Sequence, residues 1–404
     1  MTELLGLTTL AIISLITLTI ALRWPGISNI LFVGLAIRIF FLLTGHYIVS
    51  LPDSTADAVT FENVAWYLGK DGFLNVLNYY NGPNSRFISW VIAIPYSLFG
   101  RSLLMAKSIS LLFGIGSIFL GWKVAKIIWN ERIANKVGWA IALFPSLILY
   151  SVLVMREVYV CFFVLVALYG VVKWVKTDDF KSIILAIIGF VGATFFHGAL
   201  FVGILIFIAI VTISNLKKLF KKYSNFRISL KNIIFLIFIF VSSGYYLSNK
   251  IQIPYLGTFD KATDLNYLIR KTNVSTRGNA SWPEWTIPKS SIEIIYKAPV
   301  RAMYIVFSPF PWDIKETKHL IGMFDSFIFM YLTFLIFSNI KTIWNDPSLR
   351  IILILLLFYL LVFGIGVGNF GTGIRHRSKF AVMFILLAAP LIKKFIFFKK
   401  EKFD

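Results

Sequence analysis

The stretch Leu51–Arg86 reads LPDSTADAVTFENVAWYLGKDGFLNVLNYYNGPNSR and is the first long polar interruption in an otherwise apolar chain. It contains Asp53, Asp57, Glu62 and Asp71, four of only 19 acidic residues in the protein. Long apolar runs precede and follow it. The stretch is therefore an acidic loop between segments that must be buried in an apolar medium.

Composition identifies that medium as a lipid bilayer. The 404 residues are 58% hydrophobic and 17% aromatic, and only 15% are charged, whereas charged residues make up about a quarter of a soluble protein. The net charge of +21 would suggest nucleic acid in a soluble protein. Here Lys and Arg cluster between apolar runs, where they indicate orientation and contact with anionic membrane lipids. We therefore expect a polytopic membrane protein that does not bind nucleic acid.

Apolar runs long enough to cross about 30 Å of hydrocarbon as helices define the expected architecture. They cover residues 4–22, 27–49, 103–121, 137–155, 158–174, 232–249, 320–340, 350–368 and 379–396. The tract Ser182–Ile213 is too long for one span, and Phe196–His197–Gly198 near its middle predicts a break. The sequence thus predicts one all-α domain, residues 1–404, with about eleven membrane helices.

Basic residues in short loops indicate the cytoplasmic side of a membrane protein. Three such regions are residues 123–136, 217–231 and the tail 393–402. They share one side if the short apolar piece Phe87–Gly100, which contains Pro95, lies along the membrane surface as a juxtamembrane helix. The expected topology in an inner or plasma membrane has the N-terminus outside and the C-terminus in the cytoplasm.

With this topology, the external side collects two large loops, residues 51–102 and 250–319. We expect the second to be a partly ordered loop with amphipathic pieces that rest on the membrane. A shorter external loop reads GNFGTGIRHRSK (residues 368–379). Basic residues are disfavoured on the external side, so their presence in this loop points to an anionic ligand.

Two segments carry a resemblance to a known family. They read ISWVIAIPYSLFGRSLLMAKSISLLFGIGSIFLGWKVAKIIW (88–129) and ANKVGWAIALFPSLILYSVLVMREVYVCFFVLVALYG (134–170). Their order of elements resembles the GT-C superfamily of integral-membrane glycosyltransferases, which includes protein O-mannosyltransferases and lipid A aminoarabinose transferases. The shared features are an acidic first external loop, a juxtamembrane helix with an inner Pro that ends in Phe-Gly-Arg, a membrane helix, a basic loop, a helix with an inner Pro, and an external Ser-x-x-x-x-Arg-Asp/Glu turn.

The resemblance covers roughly residues 51–213 and has one departure, because the acidic loop of that family usually follows the first membrane helix rather than the second. The Arg156–Glu157 turn and the Phe196–His197 pair also resemble exopolysaccharide polymerases. Both families transfer glycosyl groups from polyprenyl-linked carriers on the outer face of the membrane. The resemblance therefore implies a lipid-linked sugar donor, and a glycan, lipid or protein as the acceptor.

A carboxylate in the acidic loop is the expected general base, because it can deprotonate an acceptor hydroxyl as that hydroxyl attacks the anomeric carbon. Asp57 is our first choice and Asp53 the second, although Asp53 could instead cap a helix and Asp57 could simply be solvated. Glu62 is a supporting residue that we expect to begin a helical turn. The sequence leaves open whether Asp53 or Asp57 binds a divalent cation together with the donor phosphate. The four scattered histidines do not suggest a histidine metal site.

The departing phosphate needs positive partners. Arg375 and Arg377 flank His376, so one loop could aim two guanidiniums at one phosphate. Arg156 and His197 are further candidates for phosphate binding, and Glu157, His376 and Lys379 are supporting residues. The alternatives are snorkelling basic side chains, a structural ion pair at Arg156–Glu157, and a packed histidine at position 197.

These residues predict a glycosyltransferase of the GT-C type that uses a polyprenyl-phosphate-linked sugar on the external face of the membrane. One alternative is an O-antigen or exopolysaccharide polymerase that uses polyprenyl-diphosphate-linked repeats. A second is a flippase or transporter without enzymatic activity. Transporters often contain inverted repeats and broken helices that meet at the membrane midplane, and the sequence shows no repeat.

Overall fold

The computed structural model describes residues 2–80, 82, 86–221, 248, 260, 264, 269, 280–314, 316 and 318–392. In these ranges the chain is helical, and its β-type pairing is a single isolated bridge between Ser281 and Asn369. The first helices are α1 (Thr2–Arg23), α2 (Ser28–Tyr47), α3 (Asp57–Gly69), α4 (Phe73–Asn78), α5 (Phe87–Phe99), α6 (Leu103–Ile128), α7 (Glu131–Leu143), α8 (Pro145–Ser151) and α9 (Arg156–Thr177). They are followed by α10 (Phe180–Phe196), α11 (Phe201–Lys221), α12 (Ser291–Phe307), α13 (Lys318–Ser338), α14 (Ile340–Asn345), α15 (Pro347–Gly366), α16 (Phe370–Ser378) and α17 (Ala381–Ala388).

Six helices of the described part are long and apolar enough to cross a membrane, namely α1, α2, α6, α9, α11 and α15. The pair α7 and α8 would make a seventh span, bent by 60°. The all-helical membrane architecture is confirmed at this level, whereas a count of eleven is not. The predicted span 232–249, most of the basic loop 217–231 and the tail 393–402 lie outside the described residues.

The predicted helix 137–155 is wrong as a continuous span. It is broken at Pro145, because a residue before proline is disfavoured in the α region, and Phe144 is extended with ψ of 119°. The break leaves carbonyls at the end of α7 without their helical partners. Arg38, fully buried in α2, donates to the carbonyl oxygens of Ala142 at 2.9 Å and Ile141 at 3.3 Å. The charged residue in the middle of α2 therefore caps the broken helix.

Close helix packing holds the centre of the bundle together. Gly189 of α10 lies against Ala167 of α9, where a Cβ on the glycine would come within 2.2 Å of the Ala167 nitrogen. Gly170 lies equally tightly against Ala186. Small residues at such positions let two membrane helices approach closely. The break predicted at His197 is present, since α10 ends at Phe196 and α11 begins at Phe201.

Helix α12 lies in the segment 250–319, where we expect amphipathic pieces, and it buries one face while it exposes Ile292 and Ile295 on the other. It packs against α13, α15 and α16, and its Arg301 is buried. Arg301 donates to Gly364 O at 2.9 Å, and also to Val367 O, at the C-terminal end of α15. Lys297 pairs with Glu293 at 2.7 Å. The buried guanidinium of Arg301 is therefore paired within the bundle, whereas Lys297 and Glu293 pair on the partly exposed face of α12.

Helices α6 and α9 run in the same direction. Ser110 lies beside Tyr159, with their hydroxyl oxygens 3.2 Å apart, and further along both helices Gly116 lies against Phe162. We call the end where both helices begin the site end. Helices α3 and α5 pack together there, and α5 is the expected short helix containing Pro95. The opposite end carries the ion pairs Lys126–Glu131 at 2.7 Å and Lys176–Asp346 at 3.9 Å.

Candidate functional site

Ionisable side chains from four separate segments meet at the site end. The segments are the first turn of α3, the first turn of α9, the turn between α10 and α11, and α16 with the turn that follows it. We call this group the charged cluster, and its members are Asp57, Arg156, Glu157, His197, Arg375, His376 and Lys379.

Local sequence determines where two of these helices begin. Met155 is extended, with φ of −135° and ψ of 146°, so α9 starts at Arg156 and directs Arg156 and Glu157 into the bundle. Helix α16 starts after Asn369, whose side-chain oxygen accepts a hydrogen bond from the backbone nitrogen of Thr372 at 2.8 Å. Side-chain oxygens of Asn are favoured at this capping position because they satisfy an otherwise unpaired N–H.

The centre of the cluster is an ion pair between Arg375 and Asp57. Arg375 Nη2 lies 2.7 Å from Asp57 Oδ2, and Arg375 Nε lies 3.9 Å from Glu157 Oε1. The Asp57 side chain is 47% exposed, whereas those of Arg375 and Glu157 are 16% and 1% exposed. Burial opposes the charge of Arg375, but the two carboxylates raise its pKa further above the usual range. Arg375 is therefore a fixed cation between an outer and an inner carboxylate.

Glu157 is the inner carboxylate, and its neighbours are basic side chains. Lys379 Nζ lies 3.3 Å from Glu157 Oε1, and the Lys379 side chain is fully buried. Burial and the nearby arginines lower the pKa of Lys379 to about 7, although Glu157 opposes this shift. Arg156 and Arg375 add two further positive charges. Among the residues that the structure describes, no group donates a hydrogen bond of normal geometry to either carboxylate oxygen. The floor of the cluster is therefore rich in positive charge.

The two histidines stand beside this floor. Lys379 Nζ lies 2.5 Å from His376 Nδ1, and the rings of His376 and His197 meet edge to face, with centroids 5.2 Å apart. Burial, together with the charges of Lys379, Arg375 and Arg156, holds the pKa of His376 well below its ordinary value. The imidazole of His376 is consequently neutral, and its Nδ1 accepts a hydrogen bond from Lys379.

Asp53, the second candidate base, lies at the outer edge of the same region. It is exposed, and its Oδ2 accepts a hydrogen bond from the Tyr150 hydroxyl at 2.8 Å. Tyr150 is buried in α8 and lies within the electrostatic reach of Asp53, Glu157 and Arg375. Sequence reasoning missed Tyr150, although it stands next to the serine of the Ser-x-x-x-x-Arg turn. The arrangement is an acidic rim of Asp53 and Asp57 above a buried basic floor.

Arg377 does not belong to the cluster, and the expectation that it shares a phosphate with Arg375 is wrong. Two residues along an α-helix are rotated by about 200°, so the two side chains leave α16 in different directions. Arg377 is fully buried and donates from Nε to Asp325 Oδ2 at 2.8 Å. Its other hydrogen bonds go to the backbone oxygens of Val306, Ser308 and Gly322 and to the Ser326 hydroxyl. Its role is structural.

Glu62 also has a structural role rather than the supporting role predicted for it. It lies inside α3, whose first residue is Asp57, so it does not begin a helical turn. Its carboxylate accepts two hydrogen bonds from Arg101, at 2.9 and 2.6 Å, and one from the Tyr96 hydroxyl at 2.8 Å. The Glu62 carboxylate raises the pKa of Arg101. These contacts fix α5 and the start of α6 to α3, and thereby hold Asp57 in place.

Arg156 is buried, and its guanidinium lies 5.2 Å from the centre of the Phe61 ring. This contact joins the start of α9 to α3 by a cation–π interaction.

A small cavity lies beneath the cluster and is lined by Glu157, Tyr150, Ser117 and Arg38, among others. Within the described ranges, no three His, Cys, Asp or Glu side chains are grouped so as to hold a metal ion.

Comparisons with protein-family models, curated proteins and solved structures found no match to the chain. A function for the charged cluster therefore has to be argued from its geometry and its chemistry.

Proposed function

We propose that the protein is a membrane glycosyltransferase that transfers a sugar from a polyprenyl-phosphate-linked donor to an acceptor at the site end. The observation that carries this proposal is the 2.7 Å contact between Asp57, which is half exposed, and Arg375, which is mostly buried. In this contact, a carboxylate that is accessible to an acceptor lies next to a cation that is suited to a phosphate. The site end then faces the outside of the cell membrane, as the distribution of basic residues indicates.

The chemistry is a single displacement. The oxygen of an acceptor hydroxyl attacks the anomeric carbon of the donor sugar, and a new carbon–oxygen bond forms as the bond to the donor phosphate breaks. Asp57 accepts the hydroxyl proton, and the phosphate leaves with the electron pair. Arg375 can stabilise the negative charge on the departing oxygen, and Arg156 adds positive charge in surroundings shielded from water. Lys379 does the same when it is protonated, and its pKa is about 7.

Aromatic residues in the same acidic loop suit a sugar ring. Tyr67 of α3 is exposed, and Tyr79 and Tyr80 are exposed just after α4. Amphipathic rings of this kind offer an apolar face to the sugar and a hydroxyl to its polar groups. They support a carbohydrate substrate rather than a purely hydrophobic one.

The test uses the purified full-length protein in lipid nanodiscs with a panel of polyprenyl-phosphate monosaccharides. We expect a member of the panel to be consumed, with release of polyprenyl phosphate, and the new glycosidic bond to have the inverted configuration. Retention of configuration would contradict direct displacement with Asp57 as base. Failure of the protein to bind or consume any mono- or diphosphate donor would overturn the proposal.

A second candidate is a polysaccharide polymerase that uses polyprenyl-diphosphate-linked repeats. The contact between His197 and His376, with Arg156 and Arg375 in the same cluster, favours it, because this grouping supplies Arg and His side chains for a diphosphate. Incubation with a diphosphate-linked oligosaccharide separates the candidates, since a polymerase would lengthen the glycan on its carrier. A flippase would move the lipid across the bilayer without consuming it.

A further inference from the structure

In the described part of the chain, only some of the N–H groups of Arg375 have a hydrogen-bond acceptor. Its Nη2 contacts Asp57 Oδ2 at 2.7 Å, while its Nε faces Glu157 at 3.9 Å, beyond hydrogen-bond distance. Among the described residues, this Nε has no hydrogen-bond acceptor although it is buried. Arg binds phosphate most strongly as a fork, with two parallel N–H groups donating to one phosphate. A phosphate can accept hydrogen bonds from both Nε and Nη2 of Arg375 only if the Asp57 carboxylate releases Nη2.

The two partners of Arg375 differ in their freedom to move. Glu157 is 1% exposed and lies at the start of α9 with Lys379 against it, so it is held in place. Asp57 is 47% exposed and is the first residue of α3. A rotation of its side chain is enough to separate it from Arg375, and its charge would still lie at a helix N-terminus, where negative charge is favoured.

From this asymmetry we propose that Asp57 and Arg375 form a latch that the donor opens: the donor phosphate replaces Asp57 on Arg375, and the released carboxylate becomes the base for the acceptor hydroxyl. The inference rests on the proposed function and adds a regulation of the same site. Donor binding must precede proton transfer, because the carboxylate that performs it is held by Arg375 until the phosphate arrives.

The latch predicts the direction in which a substitution of Asp57 changes the affinity for the donor. If Asp57 competes with the phosphate, its neutralisation in Asp57→Asn must strengthen binding of the lipid phosphate, although the same change removes the base. An exposed or half-exposed ion pair has a modest strength, so the expected gain is about two- to fivefold. If Asp57 instead helped to hold the donor, the same variant would bind more weakly.

The experiment measures binding of a polyprenyl monophosphate, and of the matching diphosphate, to the full-length protein in nanodiscs. The matched control is Asp71→Asn, which removes one negative charge from the exposed turn between α3 and α4 without touching Arg375. We expect Asp57→Asn to bind more tightly than wild type and Asp71→Asn to bind equally. In an Arg375→Ala background, Asp57→Asn should give no further gain, because the site of competition is absent.

Three results would overturn the latch, and they are distinguishable. Wild-type protein that binds the lipid phosphate, together with an Asp57→Asn variant that binds it equally or more weakly, overturns the latch and leaves the proposed function standing. Equal gains for Asp57→Asn and Asp71→Asn also overturn the latch, since the effect would then be general electrostatics. Failure of every form to bind either lipid phosphate overturns the proposed function and the latch together.

Discussion

Arg375 and Arg377 are separated by one residue on α16, and their guanidiniums bind carboxylates in different regions of the protein. Arg375 pairs with the half-exposed Asp57 at 2.7 Å, and Arg377 pairs with the buried Asp325 at 2.8 Å. The first pair joins α16 to α3, and the second joins α16 to α13. A short basic helix thus combines a candidate ligand contact with a structural anchor, and mutations should separate the two roles.

Replacing Arg375 should impair ligand binding more than stability. We expect Arg375→Ala to weaken binding of a polyprenyl phosphate and to lower transfer as well, because the phosphate charge is present in the ground state and grows as the phosphate departs. Arg375→Lys should restore only part of the binding, since an ammonium group cannot reproduce a bidentate fork. Lipid binding and single-turnover transfer are measured on the same purified variants. If Arg375→Ala bound the lipid phosphate as tightly as wild type, Arg375 would not be a ligand of the phosphate.

Replacing Arg377 should instead destabilise the protein. Arg377→Ala leaves the buried carboxylate of Asp325 without its partner, which typically costs about 3–5 kcal/mol. We expect a lower yield of folded protein and a lower temperature of thermal unfolding in detergent. The double variant Arg377→Met/Asp325→Leu should recover much of this loss, because it also removes the unpaired charge. If Arg377→Ala had normal stability but bound the lipid phosphate more weakly, Arg377 would be a ligand of the phosphate rather than a structural residue.

The role of Asp57 as base predicts a large loss of turnover. Asp57→Asn keeps the size of the side chain but removes its capacity to accept a proton, so single-turnover transfer should fall by roughly 10²–10⁴-fold. Asp53→Asn, measured in parallel, decides between the two carboxylates at the rim. Loss of transfer in Asp53→Asn alone would make Asp53 the base. Retention of transfer in both variants would contradict a carboxylate-assisted reaction and favour the polymerase centred on Arg and His.

Sequence reasoning found features that depend on local patterns and missed those that depend on distant partners. The break at His197 and the helix containing Pro95 follow from neighbouring residues, and both are present. The buried position of Arg301 in α12 could not be predicted, because the carbonyl oxygens that accept its hydrogen bonds lie at the end of α15, more than 60 residues away in sequence. Arg377 was misassigned for the same reason, since its partner Asp325 could not be identified from one sequence.

The neutral state of His376 predicts an absence of pH dependence from this residue. A histidine of ordinary pKa, near 6.5, would gain a proton as the pH falls from 8 to 6 and would strengthen phosphate binding. Because its pKa is held well below that value, His376 should gain no proton in this range. Lys379 loses its own proton in this range, because burial lowers its pKa to about 7. The proteins with His376 and with His376→Asn are therefore compared in a Lys379→Met background. In that background we expect the ratio of lipid-phosphate affinities, His376 to His376→Asn, to be the same at pH 6 and pH 8. A ratio that rises toward pH 6 would show that His376 is charged.

The orientation of the site end predicts which positions are reachable from outside the cell. Asp71 follows α3 at the site end, whereas Arg132 follows α6 at the opposite end, next to the Lys126–Glu131 pair. Helix α6 has 26 residues, which gives about 39 Å at 1.5 Å per residue, so we expect these positions to lie on opposite sides of a bilayer. In a background where the buried Cys161 is replaced by Ala, Asp71→Cys should react with a membrane-impermeant maleimide in intact cells. Arg132→Cys should react only after the membrane is opened. Labelling of Arg132→Cys from outside, with protection of Asp71→Cys, would place the charged cluster in the cytoplasm and would exclude an external lipid-linked donor.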